Sequence, residues 1–150
     1  MHVWRIASSR HPLLDGEGAR LYGGRWNSPG RPAVYTSAHA SLAVLEKLAW
    51  TDPEDVPADL ELTEIEVPDD IAVEHLDVGR LPVGWAEPGS AACLRAGDEW
   101  LSSLRTAALV VPSAVMPVDS NILINPLHTD ARRIRVVGTR PFSFDLRLLR

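Results

Sequence analysis

A single cysteine, Cys93, stands in the 150 residues, so no internal disulfide can form and no second sulfur is present to build a zinc site. Cys93 is expected as a small core residue. Lysine is equally scarce: fourteen of the fifteen basic residues are arginine, with Lys47 the exception, so one arginine taken alone marks no site. Positive charge is in deficit, with a formal net charge of −5. That balance argues against a direct nucleic-acid substrate, because a phosphate backbone calls for a basic face or stripe. No run of about 18 apolar residues is present to cross a membrane, and the N-terminal MHVWRIASSRH lacks the apolar stretch of a signal peptide, so a cytoplasmic location is expected. No strand is followed by GxGxxG or by a phosphate loop ending in Gly-Lys-Ser/Thr, which disfavours a parallel, doubly wound nucleotide fold. No cluster of His, Cys and carboxylates has metal-ligand spacing, so no metal is expected.

What is present fits one globular domain over residues 1–150, with 45% hydrophobic and 23% charged residues and prolines spread as punctuation between short elements. The class expected is α/β or α+β. HVWRIAS near the N-terminus reads as a strand, followed by a long polar, glycine-rich stretch from Asp15 to Pro32, and loops of that length are often functional. AVYTS, residues 33–37, is a second strand, with Ser37 placed to cap a helix running through about Trp50. LELTEIEV, 60–67, reads as a strand whose apolar positions lose phase between Leu62 and Ile65, the mark of a bulge or an exposed edge. IAVEHLD and Ser90 to Leu104 read as helices. ALVVP, NILINP, RIRVV and FSFDLRLL read as strands, the last with Phe142, Phe144, Leu146 and Leu148 alternating.

One residue does not suit its surroundings. In the helix SLAVLEKLAW successive residues turn by about 100°, so Glu46 lies about 40° from Leu42 and about 40° from Trp50, within the apolar arc, while Lys47 marks the solvent side. A carboxylate there loses hydration at a cost of several kcal/mol, on the order of the ion-burial penalty, unless it faces a polar cleft and a partner. It either pairs with a structural arginine, reaches out at the helix end, or serves a site. A carboxylate beside a ribose accepts a hydrogen bond from a hydroxyl and stabilises developing positive charge, as glycosidic bond cleavage requires. Gly23-Gly24-Arg25-Trp26-Asn27 adds two adjacent glycines, which let a ligand approach the main chain, and a guanidinium suited to phosphate or carboxylate; alone it reads equally as a turn with a surface arginine. Ser113 ends the extended segment Val110-Val111-Pro112, but no GxSxG elbow or triad-spaced histidine surrounds it, so it reads as a binding serine rather than a nucleophile. Asn121 and Asn125 flank the next segment, where turn and cap chemistry is the ordinary use of asparagine.

Taken together, GGRWNSPG at 23–30, AVYTS at 33–37, LAVLEKL at 42–48 and VPSAVMPVDSNILINP at 111–126 resemble the motif set of the RES domain, named for its arginine, glutamate and serine. Arg25, Glu46 and Ser113 match those three in order and spacing, and Tyr35 matches the aromatic residue between the first two. Residues 51–106 are similar to the family only in length and in their helix. The resemblance implies a fold like that of ADP-ribosyltransferase toxins, a split pair of small β-sheets around a nicotinamide cleft with helices at the side. It implies a toxin of a toxin-antitoxin system that cleaves NAD+ at the nicotinamide-ribose bond, as glycohydrolase, phosphorylase or ADP-ribosyltransferase, with NAD+ as substrate and no prosthetic group. Glu46 and Arg25 are the catalytic candidates; Arg25, Tyr35, Ser113 and Asn125 are the binding candidates. An Xre-type DNA-binding antitoxin is implied as partner, with homodimers or larger toxin-antitoxin assemblies. Two rivals stand beside this reading: a non-catalytic protein-binding module in which Arg25 and Glu46 form a structural ion pair, and an enzyme acting on RNA, which the net charge opposes.

Overall fold

The computed structural model describes residues 1–150. Its elements run β1 (His2–Ser8), α1 (Glu17–Tyr22), β2 (Val34–Ser37), α2 (Ala40–Ala49), β3 (Leu60–Glu66), β4 (Val73–His75), α3 (Ala91–Ser103), β5 (Ala108–Pro112), β6 (Ser120–Ile124) and β7 (Arg135–Pro141). The strands form one mixed sheet in the order β4-β5-β6-β2-β1-β3-β7. Only β4 and β5 run parallel, which agrees with the expectation against a doubly wound fold.

The sheet is continuous in hydrogen bonding but divided in substance. β1 and β3 are in register from His2 with Glu66 to Ser8 with Leu60, and β2 and β6 pair along all of β2. Between them, β1 and β2 share one register pair, Trp4 with Ser37. Two half-sheets, β4-β5-β6-β2 and β1-β3-β7, therefore meet at a single point, which is the split pair of small sheets that the family resemblance implies.

The two faces handle this junction differently. Side chains alternate across a strand, so Val34 and Thr36 face one side of β2 while Tyr35 and Ser37 face the other. On the first side, here called the back, Val3, Val34, Ile65, Ile122, Ile124 and Ile134 belong to one buried cluster that spans both halves. On the front there are two clusters. One lies over β5 and β6, where Leu109, Val111 and Leu123 pack against Trp26 and against Cys93, Trp100 and Leu101 of α3. The other lies over β1 and β3, where Ile6 and Leu60 pack against Ala43 of α2 and Phe144. The strip between the two front clusters is polar.

Helix α3 begins where the sequence placed it, with the Ser90 hydroxyl accepting from the Cys93 N–H at 3.4 Å, and Cys93 is buried as expected. Gly97 lets α3 lie directly on the 25–27 turn: a Cβ at that position would stand 1.7 Å from the Trp26 carbonyl oxygen. The phase break in β3 is a register shift against β7 between Glu64 and Ile65.

Four expectations are corrected. Ser37 does not cap α2; it lies in β2, and the N-cap position is His39, which makes no side-chain cap. IAVEHLD is not a helix, because Val73–His75 pairs with β5 and the chain then turns through the short 3-10 segment Val78–Arg80. FSFDLRLL is not a strand: β7 ends at Pro141, Phe142 and Phe144 meet edge to face at 5.1 Å, and Leu146 to Leu148 form a 3-10 turn with Leu146 exposed. In α2 the arc is rotated from the one expected, since Ala49 and Trp50 are exposed while Lys47 is half-buried, with burial lowering its pKa and Arg5 lowering it further.

Candidate active site

Glu46 is where the polar front strip gains its charge. It projects from α2, between the wheel positions of buried Leu42 and Ala43, toward the end of the opposite half-sheet. Its Oε1 accepts two hydrogen bonds, from the Ser113 hydroxyl at 2.7 Å and from the Asn121 side-chain amide at 2.7 Å. No lysine, arginine or histidine lies within ion-pair distance, and no protein group donates to Oε2. A half-buried carboxylate held by neutral donors on one oxygen, with the other oxygen free, is not a structural ion pair. Neutral, preoriented donors fix its direction without pairing it with a cation.

The donors come from rigid elements. Ser113 follows β5 directly and is fully buried. Its hydroxyl oxygen accepts from the Met116 N–H at 3.0 Å, which aims the O–H at Glu46. Asn121 sits in β6 opposite Ser37, whose hydroxyl donates to the Asn121 side-chain oxygen Oδ1 at 2.8 Å. Trp4, half-buried and opposite Ser37 on β1, forms the wall of the strip on the other half-sheet.

Tyr35 lies one step along the same face of β2. Its hydroxyl donates to Asn27 Oδ1 at 2.6 Å and accepts from the Trp26 N–H at 3.0 Å. Burial, the largest influence, pushes the phenol pKa well up, so the group stays protonated. The Tyr35 hydroxyl thus anchors the 25–27 turn. Gly24 allows this, because a Cβ there would stand 2.6 Å from the Tyr35 hydroxyl oxygen; that glycine makes room for the tyrosine rather than for a ligand. From the anchored turn Arg25 extends to the loop before α3, its Nη1 donating to the carbonyls of Trp85 at 3.1 Å and Glu87 at 2.9 Å. Its Nε and Nη2 have no protein acceptor and it makes no ion pair, so a fixed cation keeps donors to spare beside Tyr35.

The fifth sequence candidate lies apart. Asn125 follows the far end of β6, four residues from Asn121, which is about 13 Å along an extended strand. It is buried, its amide donates to the Leu101 carbonyl at 2.9 Å, and its Oδ1 accepts from the Leu127 N–H at 3.1 Å. Those bonds lock the strand end to α3, so the structure gives Asn125 a packing task and does not bring it to Glu46. Conversely, Ser37, Asn121 and Trp4 join the strip without having been singled out for it. Strand register alone brings them together, and the serine resembled a helix cap. Two surface clefts of about 410 and 470 Å3 border Leu14 on the back and include none of these residues.

The fold is shared with a chain of the Mycobacterium tuberculosis MbcT-MbcA toxin-antitoxin complex, at a TM-score of 0.77 and 22% identity, over 95% of this chain and 84% of that one. The RES domain model matches residues 2–146, and the chain belongs to the RES domain family. Its relatives include the Prs ADP-ribosylating toxin of Sphingobium sp. strain YBL2, 40% identical over 98% of this chain and 96% of the relative. They also include Toxin Res of Photorhabdus laumondii, 36% identical over 100% and 98%, and Toxin Res of Pseudomonas putida, 37% identical over 99% of each.

Proposed function

We propose that this RES-domain protein is the toxin of a toxin-antitoxin pair and that it consumes NAD+ by breaking the bond between nicotinamide and ribose. The observation that carries the reading is the state of Glu46: half-buried, unpaired with any cation, fixed through Oε1 and free at Oε2. Nicotinamide leaves NAD+ as a neutral ring, taking the bonding electron pair. The chemistry therefore needs little acid catalysis and much stabilisation of a cationic sugar. Oε2 accepts from a ribose hydroxyl and places negative charge beside the developing cation. Arg25, tethered through Nη1 alone, turns Nε and Nη2 to the phosphates, the Tyr35 ring flanks the nicotinamide, and Ser113 acts through its bond to Glu46.

The acceptor then adds at the ribose carbon and gives up its proton. Water yields hydrolysis, phosphate yields phosphorolysis, and a protein side chain yields ADP-ribosylation. The name of the Sphingobium relative, an ADP-ribosylating toxin, favours a protein acceptor. The partner that fits this reading is an antitoxin of the Xre DNA-binding type that covers the polar strip in the cytoplasm. The rival of a structural Arg25–Glu46 pair loses its premise, since neither residue enters an ion pair.

The test is nicotinamide release from NAD+ by the purified chain freed of its partner, with and without phosphate, beside Glu46→Ala. Release that vanishes in the variant supports the reading. Equal release by both, or none by the wild type in a preparation that also fails to arrest growth in cells, would sink it.

A further inference from the structure

The polar strip holds a two-step hydrogen-bond chain, Ser37 to Asn121 to Glu46. The Ser37 hydroxyl donates to Asn121 Oδ1 at 2.8 Å, and Asn121 Nδ2 donates to Glu46 Oε1 at 2.7 Å. We propose that Ser37 and Asn121 are positioning residues for NAD+ cleavage, a relay that fixes the Glu46 carboxylate so that Oε2 meets the substrate; this rests on the reading of Glu46 given above.

The polarity of the chain follows from the donors available. A carboxylate oxygen only accepts, so the side of Asn121 facing Glu46 must be its NH2 group, and the side facing Ser37 must be its carbonyl oxygen. The serine is buried and spends its one proton there. It thereby opposes the flipped amide, in which Oδ1 would face Oε1 with no hydrogen between them. Donation into an amide carbonyl also polarises the N–H on the other side, which strengthens the bond to the carboxylate.

The relay begins at the one register pair that joins the half-sheets, since Ser37 is the β2 residue opposite Trp4. It ends on α2, which packs over β1 through Ala43. Glu46 thus reaches across the split, and its direction relative to the Tyr35 and Arg25 side depends on a bond from that side. Ser113 supplies the second donor to the same oxygen. With Oε1 saturated twice, rotation of the carboxylate would break two bonds, and Oε2 is the oxygen left to change partners during the reaction.

The relay acts on the transition state rather than on capture of NAD+, so its loss falls on kcat more than on KM. Losing one hydrogen bond to a charged group predicts a fall in kcat of about 10- to 100-fold for Asn121→Ala. Ser37→Ala, which leaves Asn121 in place but free to flip, is expected to fall by about 10-fold, with KM within about 2-fold, near the value of one neutral hydrogen bond. Ser37→Thr keeps the hydroxyl and restores most of the loss. The discriminating readout is a double-mutant cycle: in an Asn121→Ala background, Ser37→Ala adds less than about 2-fold, because its route to Glu46 is already cut.

The experiment measures nicotinamide release from NAD+ by the full chain carrying each substitution and the pair, with Glu46→Ala beside them and thermal midpoints confirming that each is folded. Should Asn121→Ala fail to fold, the isosteric Asn121→Asp takes its place in the cycle, with a fall in kcat expected because an acceptor replaces the donor. Losses in kcat that are not multiplicative establish the relay. Wild-type kcat in Ser37→Ala or in the Asn121 variant, with Glu46→Ala inactive, overturns the relay and leaves the NAD+ reading intact, as do losses that simply multiply. Undiminished release by Glu46→Ala overturns the NAD+ reading and the relay with it.

Discussion

The back of the sheet crosses the junction between the half-sheets as one apolar cluster, whereas the front breaks into two clusters with hydroxyls, an amide and a carboxylate between them. The same strands build both. On β2 Val34 serves the back and Ser37 the front; on β6 Ile122 and Ile124 serve the back and Asn121 the front. The difference teaches how a chain of this size keeps a polar site at its weakest seam. Two half-sheets joined by one register pair would part easily if the front alone held them, and the continuous back cluster supplies the cohesion that the front gives up. Stability is expected to reside behind the sheet and chemistry before it.

The largest effect expected from that division is on the front. Glu46→Ala should lower NAD+ turnover by about 10²- to 10³-fold, the cost of removing one preoriented electrostatic group, while its thermal midpoint falls only slightly, because relief of a half-buried charge offsets the acceptor lost to Ser113 and Asn121. A variant that loses activity only in proportion to lost folded protein would erase the distinction between the faces. The converse substitution is Ile124→Ala on the back. It should cost about 2–5 kcal/mol of stability in a denaturant titration, as is usual for truncating a buried isoleucine, yet leave kcat close to wild type where the protein is still folded. A drop in kcat without a drop in stability would mean that the back shapes the site as well.

Tyr35→Phe tests a position between the two roles. Its hydroxyl joins the Trp26 N–H to Asn27 Oδ1, so the substitution leaves two polar groups of a buried turn unsatisfied, at a cost of about 1–3 kcal/mol. Because the ring remains and only the anchor of Arg25 is loosened, the activity loss should be smaller than that of Glu46→Ala and should appear mainly in KM. A kcat loss as large as that of Glu46→Ala, with KM unchanged, would give the phenol itself a part in the chemistry.

These contrasts also explain what could be read from the chain in advance. β1, β2, α2, α3, β5 and β6 announce themselves because their apolar residues recur at the period of their element and each is bounded by proline, glycine or a cap such as Ser90. Glu46 was legible for the opposite reason, as a charge in an apolar arc, and Arg25, Tyr35 and Ser113 through the family motif. What failed depends on neighbours distant in sequence. Val73–His75 is a strand because β5 offers it an edge, and residues 142–149 are not one, since β7 already occupies the edge of β3 and the alternating Phe142 and Phe144 instead pack on each other and on the α2 side. Ser37 and Asn121 are 84 residues apart, so no local pattern unites them. Asn125, whose amide bonds the Leu101 carbonyl, shows the limit of local reading, because an asparagine locking a strand end and one holding a carboxylate look alike until register is known.

The smallest effect belongs to the surface. Arg133 Nη2 donates to both oxygens of Asp70 at 2.7 Å, and this hydrogen bonding, the largest influence, holds the Asp70 carboxyl below its ordinary range. A carboxyl whose pKa is lower in the folded than in the unfolded chain stabilises the fold above the ordinary carboxylate range. That contribution fades as pH falls through the unfolded value toward the folded one. Both side chains are largely exposed, where salt screens the pair and its net effect is small. Arg133→Ala should therefore lower the thermal midpoint slightly at neutral pH and low ionic strength. The gap should narrow on adding salt and close in acid once Asp70 is protonated, with NAD+ turnover unchanged throughout. A gap that persists undiminished in acid would show that Arg133 contributes through the packing of its stem on the back cluster near Ile134 rather than through its charge, and would extend the cohesive back face to the 3-10 turn at Thr129–Arg133.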